Sequence, residues 1–278
     1  PNTLYIATYQ RRRDGFDGND PSVRYGAGAA IYRTKDGGKT FEKLTNGLPT
    51  AKMGRIGLNI YRKDPNFIYA IVESERIGQW PSDSSYAGLR GEDVEVGAKL
   101  TEITKDGPAA KAKLEVNDVV VRVDDEAIPS YAKFIELLRR KPAGAKAKLE
   151  VIRKGEALTL EIELDRRPEV VALEKRKAEA KTPLDTEVFR EGSPFAQSLG
   201  GQNPNMADEQ GSEGKEFGGV YRSSDGGNSW ERINSLNPRP MYYSQIRVDP
   251  TDNNKIWVLG TELYKSKDGG VTFTPDGH

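Results

Sequence analysis

The stretch Tyr221-Arg222-Ser223-Ser224-Asp225-Gly226-Gly227-Asn228-Ser229-Trp230 decides how the chain is read, because its pattern occurs three times. The other copies are Tyr32-Arg33-Thr34-Lys35-Asp36-Gly37-Gly38-Lys39-Thr40-Phe41 and Tyr264-Lys265-Ser266-Lys267-Asp268-Gly269-Gly270-Val271-Thr272-Phe273. The shared skeleton is Ser or Thr, any residue, Asp-Gly-Gly, two residues, then an aromatic. Paired glycines supply the positive φ that a tight hairpin turn demands. The Asp carboxylate can accept hydrogen bonds from N–H groups of its own turn. The aromatic ring is expected to drop into the core beside the hairpin. On this reading Thr34, Asp36, Gly38 and Phe41 are structural. So are Ser223, Asp225, Gly227 and Trp230, and Ser266, Asp268, Gly270 and Phe273. The three aspartates are turn residues, not acids in a reaction.

A second repeat works outward from the first. Pro1-Asn2-Thr3-Leu4-Tyr5-Ile6-Ala7 matches Pro65-Asn66-Phe67-Ile68-Tyr69-Ala70-Ile71, and Asn254-Lys255-Ile256-Trp257-Val258-Leu259 matches both. A strand ending in Asp-Pro precedes two of these copies, at Ile56 to Pro65 and Ser244 to Pro250. Each unit therefore reads as four antiparallel strands, the third and fourth joined by the Asp-Gly-Gly turn. That is the make-up of a propeller blade. Asp225 and Asp268 are one unit apart, but the interval from Asp36 to Asp225 exceeds one repeat by about 140 residues. The second strand ends near Ser74 and the third resumes near Phe217, so a foreign segment is expected between them.

The repeated turn resembles the Asp-box, or BNR repeat, of sialidases, related glycosidases and sortilin-type receptors. The stretch Tyr242-Tyr243-Ser244-Gln245-Ile246-Arg247-Val248-Asp249-Pro250 is closer to the sortilin-like branch than to the sialidases. The resemblance implies that ligands meet the face opposite the Asp-Gly-Gly turns. There Arg55, Arg239, Tyr242 and Tyr243 are the candidate ligand residues.

The foreign segment has its own grammar. Gly107-Pro108-Ala109-Ala110-Lys111 reads as a short helix entered through proline. Ser130 is a candidate N-cap for a helix from Tyr131 to Arg140, with Phe134, Leu137 and Leu138 at helical spacing and Pro142 and Gly144 as stops. Strands follow at Lys148 to Arg153 and Leu158 to Leu164. The run Leu114-Glu115-Val116-Asn117-Asp118-Val119-Val120-Val121-Arg122-Val123-Asp124 resembles that of bacterial PDZ domains attached to extracytoplasmic proteases. Asn117 and Lys113 stand where that family commonly has glycine. The resemblance implies a carboxylate-binding loop at Tyr86, Ala87, Gly88 and Leu89. It also implies a groove lined by Tyr131, Phe134 and Leu138 that takes a peptide C-terminus as an added strand. Arg90 and Lys133 bring positive charge near it.

The expected fold class is mainly β: incomplete propeller blades of four antiparallel strands, interrupted by an α+β PDZ-like domain. The expected domains are 1–80 (blades), 81–166 (PDZ-like), 167–215 (a helical and irregular linker, loop-like from 192 to 216) and 216–278 (blades continued). Lys and Arg (42) balance Asp and Glu (42), so no net field points to nucleic acid or an anionic membrane. The absence of cysteine excludes a thiol nucleophile and disulfides. His278, the single histidine, gives no basis for a Ser-His-Asp triad. No residues show metal-ligand spacing, and no cofactor is expected. No apolar run approaches the ~20 residues of a membrane span. The expected function is that of an extracytoplasmic binding protein, periplasmic or secreted, with its signal peptide outside this stretch. Its propeller would hold a protein or glycan, and its insert a peptide C-terminus. The alternative is a glycoside hydrolase with a propeller cleft. No catalytic residues are identifiable for it, since paired carboxylates leave no local signature.

Overall fold

The computed structural model describes residues 2–12, 23–77, 79–179, 205, 207–238, 244–260 and 262–276. The chain is mainly β with few helices, and it divides into two compact units. One holds the described residues up to Gln79 and from 205 onward, and the other those from Trp80 to 179.

The first unit contains three open sheets. One is β1 (Leu4–Thr8), β2 (Ala30–Thr34) and β3 (Glu42–Leu44), in that order. The middle sheet joins β4 (Met53–Ile60) and β5 (Ile68–Ser74) to β14 (Gly219–Ser223) and β15 (Glu231–Asn234), in the order β15-β14-β5-β4. The third is the meander β16 (Gln245–Val248), β17 (Ile256–Leu259), β18 (Leu263–Ser266) and β19 (Thr274–Pro275). β5 and β14 pair directly and antiparallel, with Val72 opposite Gly219 and Ile68 opposite Ser223. The chain thus leaves the middle sheet after β5 and returns to it beside the same strand. Among the described residues no sheet closes on itself, and neither a closed barrel nor a closed propeller is formed.

β5 shows how the sheets are held. All seven of its residues are buried. Ile68, Ala70 and Val72 join one core with Ile31, Leu44 and Trp230, whereas Tyr69 and Ile71 join another with Ile246, Ile256, Tyr264 and Phe273. Alternate residues of a strand point to opposite faces. The middle sheet is therefore covered on both faces, by the first sheet and by the third.

The three Asp-Gly-Gly turns share one hydrogen-bond pattern. The Asp36 carboxylate accepts the N–H groups of Lys39 and Thr40 and the hydroxyls of Thr34 and Thr40. Asp225 accepts the N–H and hydroxyl of Ser229 and the hydroxyl of Ser223. Asp268 is served in the same way by Thr272 and Ser266. The first glycine of each turn, Gly37, Gly226 or Gly269, has φ of +77°, +67° or +74°. Its N–H donates to the carbonyl of Asn2, Asn66 or Asn254 respectively, which ties the two sequence repeats together. The aromatic ends differ. Trp230 and Phe273 are buried, but Phe41 is 44% exposed, contrary to the expectation that all three rings enter the core. Trp230 packs in the core shared with the first sheet, and Phe273 in the core shared with the middle sheet. Among the described residues no sheet precedes the first to receive Phe41.

The second unit runs through β6 (Ser85–Tyr86), β7 (Leu89–Asp93), β8 (Ala98–Ile103), α1 (Pro108–Lys111), β9 (Val119–Val123) and β10 (Glu126–Ala127). It continues with α2 (Tyr131–Arg139), β11 (Lys146–Arg153), β12 (Glu156–Glu163), β13 (Asp165–Arg166) and α3 (Pro168–Glu179). Its main sheet has the order β12-β11-β9-β8-β7, with β10 on β9, and β6 pairs with β13. A single core of residues such as Leu100, Val120, Phe134, Leu149 and Ile162 lies within it. Lys113 and Asn117 have φ of +62° and +75°, the left-handed conformation that glycine adopts most readily.

The end of the segment read as a loop up to 216 is regular rather than loop-like. Residues Asp208–Phe217 form 3-10 turns broken at Gly211. They are anchored by the Glu216 carboxylate, which accepts the N–H groups of Thr50 and Ala51, and by the fully buried ring of Phe217. Glycine and polar content signals turns but not these long-range anchors.

Candidate functional site

The loop from Tyr86 to Leu89 leads into β7 and is fixed from behind. The Ala109 N–H donates to the Ala87 carbonyl at 2.9 Å, and the Thr104 N–H to the Gly88 carbonyl at 2.8 Å. The Tyr86 hydroxyl donates to Thr104 Oγ1 at 3.0 Å. Gly88 has φ of +70°, and a Cβ there would come within 3.2 Å of Pro108 Cδ. The backbone conformation and the close approach both call for glycine.

β7 is an edge strand: it pairs with β8 and ends the sheet order. α2 packs against both strands. Its start is pinned twice. The Ser130 hydroxyl caps it by accepting the Lys133 N–H at 3.2 Å, and the Asp93 carboxylate at the end of β7 accepts the Tyr131 N–H at 2.6 Å. The Tyr131 ring lies against Gly91, where an added Cβ would come within 2.8 Å of it. Burial pushes the Tyr131 phenol above its ordinary value.

The expected lining of the groove is corrected in part. Tyr131 is half-buried, but Phe134 is 0% exposed and Leu138 is buried. Both belong to the core, because the face of α2 carrying 134, 137 and 138 is turned into the domain. Ile135, one turn on from Tyr131, is half-buried against the same core. The i,i+4 spacing from Tyr131 is the signal that could have found it. Ala87, Leu89 and Ile103 are half-buried against the same core. Arg90 is paired with Glu102, and Lys133 with Glu136, so neither cation is free of an acidic neighbour.

Away from this rim, Arg153 binds Asp118 bidentately at 2.7 and 2.8 Å and also reaches Glu115 and the Lys113 carbonyl. A concavity of about 670 Å³ in this unit is lined by residues including Ser82, Asp83, Gly144, Arg166 and Glu174, and by none of the groove residues.

In the three-sheet unit Arg55 lies on β4, and its N–H donates to Glu73 Oε2 at 3.0 Å. Arg239, Tyr242 and Tyr243 lie outside the described residues, so the four candidates are not seen together. Glu73 was not foreseen. It is wholly buried at the end of β5 and takes the Arg24 guanidinium at 2.7 Å. Burial pushes its carboxyl up, against the pull of Arg24. A lone acid closing an apolar strand was its signal in the sequence. Among the described residues no cluster of His, Asp or Glu could hold a metal ion.

Comparison with known proteins fits this geometry. The PDZ-domain family model matches residues 77–164. The "Probable periplasmic serine endoprotease DegP-like" of Pseudomonas putida (strain W619) is 38% identical over 79 residues, 28% of this chain and 16% of the relative. "Regulator of sigma-E protease RseP" of Salmonella typhimurium is 32% identical over 81 residues, 29% of this chain and 18% of the relative. The chain thus spans less than a fifth of the length of these relatives. Among solved structures, the HtrA-type protease AlgW with decapeptide is 22% identical, with 31% of this chain and 30% of that one covered and a TM-score of 0.30. The PDZ domain of a carboxy-terminal protease from Vibrio cholerae in complex with peptide is 20% identical, with 30% and 96% covered and a TM-score of 0.27. On the family-model match, the second unit carries a PDZ domain. Its relatives in sequence include DegP-like proteins. The comparisons lend no support to an Asp-box or sortilin-like propeller, or to a glycoside hydrolase.

Proposed function

We propose that the PDZ domain of this chain binds the C-terminus of a protein or peptide as an added strand on β7. One observation carries the reading. An edge strand with a half-buried apolar rim (Leu89, Tyr131 and Ile135) is entered through a glycine turn whose backbone is fixed from behind. Such an edge offers main-chain hydrogen bonds for affinity and side-chain pockets for specificity. Tyr86, Ala87, Gly88 and Leu89 are the residues assigned to the peptide carboxylate. Periplasmic relatives and peptide-bearing structures are compatible with this role, and the protein is assigned to an extracytoplasmic compartment on the same ground.

In the same reading, the three sheets are Asp-box blades that form a binding framework for a protein or glycan, and their Asp-Gly-Gly turns are structural. The PDZ domain is then an insert between the second and third strands of the middle blade. The test is titration of the full chain with peptides carrying apolar C-termini, as free acids and as amides. Free acids bind, amides do not, and Ile135→Asp abolishes binding while the chain stays folded. Equal binding of acid and amide would remove the carboxylate loop from the proposal.

A further inference from the structure

Trp230 immediately precedes β15, and Arg232 is the second residue of that strand. The 3-10 turns at Asp208–Phe217 pack against that strand. A cavity of about 170 Å³ remains there, lined by Gly47, Gly211, Gly214, Lys215, Trp230 and Arg232 among others. That is room for several water molecules at about 30 Å³ each. Two donors are left without partners: the indole Nε1–H of Trp230, a side chain only 6% exposed, and Nη2 of Arg232. The rest of the guanidinium is held in place, with Nε donating to the Gly218 carbonyl and Nη1 to Gln210 Oε1 at 2.7 Å. Gln210 is itself buried and fixed by its own bond to the Gln79 carbonyl at 2.7 Å. Among the described residues no carboxylate pairs with Arg232, although a buried charge ordinarily has a counter-charge.

We propose that this cavity binds a small oxyanion through the Trp230 indole N–H and the Arg232 guanidinium. Both groups donate and neither accepts, so the ligand is an acceptor on every side it shows them. The unpaired guanidinium, with Lys215 also in the lining and no acid among the described lining residues, selects a negative charge over a neutral carbonyl. Gly214 keeps the space open. Its backbone is not in the left-handed region, and a Cβ there would make only ordinary contacts, 3.5 Å from the Ala207 carbonyl and from Arg232 Nη1. Nothing in the local backbone requires glycine, and its lack of a side chain leaves room beside the guanidinium. Trp257, by contrast, donates its indole N–H to Asp276 at 3.3 Å.

The indole N–H signals of the 15N-labelled full chain report on the site directly. Trp230 is assigned by Trp230→Phe, and Trp80 and Trp257 serve as internal controls. Acetate, phosphate and sulfate are titrated separately against chloride at constant ionic strength. The Trp230 signal is expected to shift saturably with at least one oxyanion while the two controls stay in place. Acetate alone marks a carboxylate site, and phosphate or sulfate a site for a tetrahedral anion. Arg232→Lys keeps the charge but removes the forked donor, and should weaken binding by about tenfold or more. Gly214→Val, which places a side chain in the cavity beside the Arg232 guanidinium, should abolish it. Lys215→Gln, at an exposed residue, should weaken it by a few-fold. If Arg232→Lys does not fold, the last two variants carry the comparison. A Trp230 signal that moves with no oxyanion, that drifts together with both controls, or that responds unchanged in Gly214→Val overturns the proposal and leaves a water-filled cavity.

Discussion

The two units bury their apolar residues in different ways. The PDZ unit encloses one core between its sheet and α2, and every residue of that core comes from its own span of chain. In the three-sheet unit each core is shared between neighbouring sheets, and β5 serves two cores from its two faces. A shared-core sheet is stable only with its neighbours, as in repeat architectures. A unit with a private core can be carried between two strands of another sheet, provided those strands still pair. β5 and β14 do pair, in continuous register from Ile68 to Val72.

The sharpest way to break this comparison is to damage one core and watch the other. Phe134→Ala removes a wholly buried ring from the PDZ core and should cost about 3–5 kcal/mol, lowering one calorimetric transition only. Ile71→Ala in β5 should cost about 2–5 kcal/mol and lower the other. A single transition that both variants lower equally would show that the units unfold as one.

The Asp118–Arg153 pair comes next in size. Asp118 is 1% exposed and depends on Arg153 for its counter-charge. Arg153→Met should leave a buried carboxylate unpaired and cost about 3 kcal/mol in the PDZ transition alone. Adding Asp118→Asn should return part of that loss, since the stranded charge is then gone. No recovery in the double variant would assign the effect to packing of the Arg153 stem.

Acid should act on the three-sheet unit through its turns. Hydrogen bonds from Ser229 and Ser223 hold the Asp225 carboxyl down at about 2, Asp36 is lowered by the equivalent donors, and Asp268, against the upward push of burial, is lowered by Thr272 and Ser266. A carboxyl lowered in the folded state adds stability that is complete above its unfolded value, about 4, and is lost as pH falls toward the folded one. Glu73 runs the other way. Its raised carboxyl adds stability at low pH that is lost as pH rises. Asp225→Asn should therefore shrink the fall in this unit's melting temperature between about pH 4 and pH 2. An unchanged acid limb would show that the turn bonds do not set it.

The repeats made the strand order legible, because Asp-Gly-Gly, Asp-Pro and Asn each sit at fixed points of the hydrogen-bonded frame. The PDZ domain was legible for a similar reason: Ser130, Pro108 and the run from Leu114 to Asp124 mark its element ends. The fate of individual side chains was less so. Phe134 and Ile135 are adjacent apolar residues on one helix, and only the packing of α2 on the sheet decides which is core and which is rim. Phe41 carries the same local pattern as Trp230 and Phe273, but burial depends on a neighbouring sheet that the motif does not encode. The unpaired donors of Trp230 and Arg232 were invisible because they are set by turns at Asp208–Phe217, distant in sequence and weak in local signal.

The smallest effect tests the PDZ unit at one backbone position. Lys113 sits at φ +62°, where its Cβ crowds the carbonyl and costs about 1–2 kcal/mol relative to glycine. Glycine would relieve that strain but would also gain freedom in the unfolded chain, which offsets about 0.4–1 kcal/mol. Lys113→Gly should therefore raise the PDZ transition by about 0.5 kcal/mol, with the bond from Arg153 to the residue 113 carbonyl kept intact. Asn117→Gly should gain less, because asparagine tolerates the left-handed region better than lysine. Neither change should move the transition of the three-sheet unit. If Lys113→Gly lowers the PDZ transition instead, the lysine side chain contributes more by packing than its backbone loses by strain. If both transitions move together, the private core of the PDZ unit does not make it independent of the sheets.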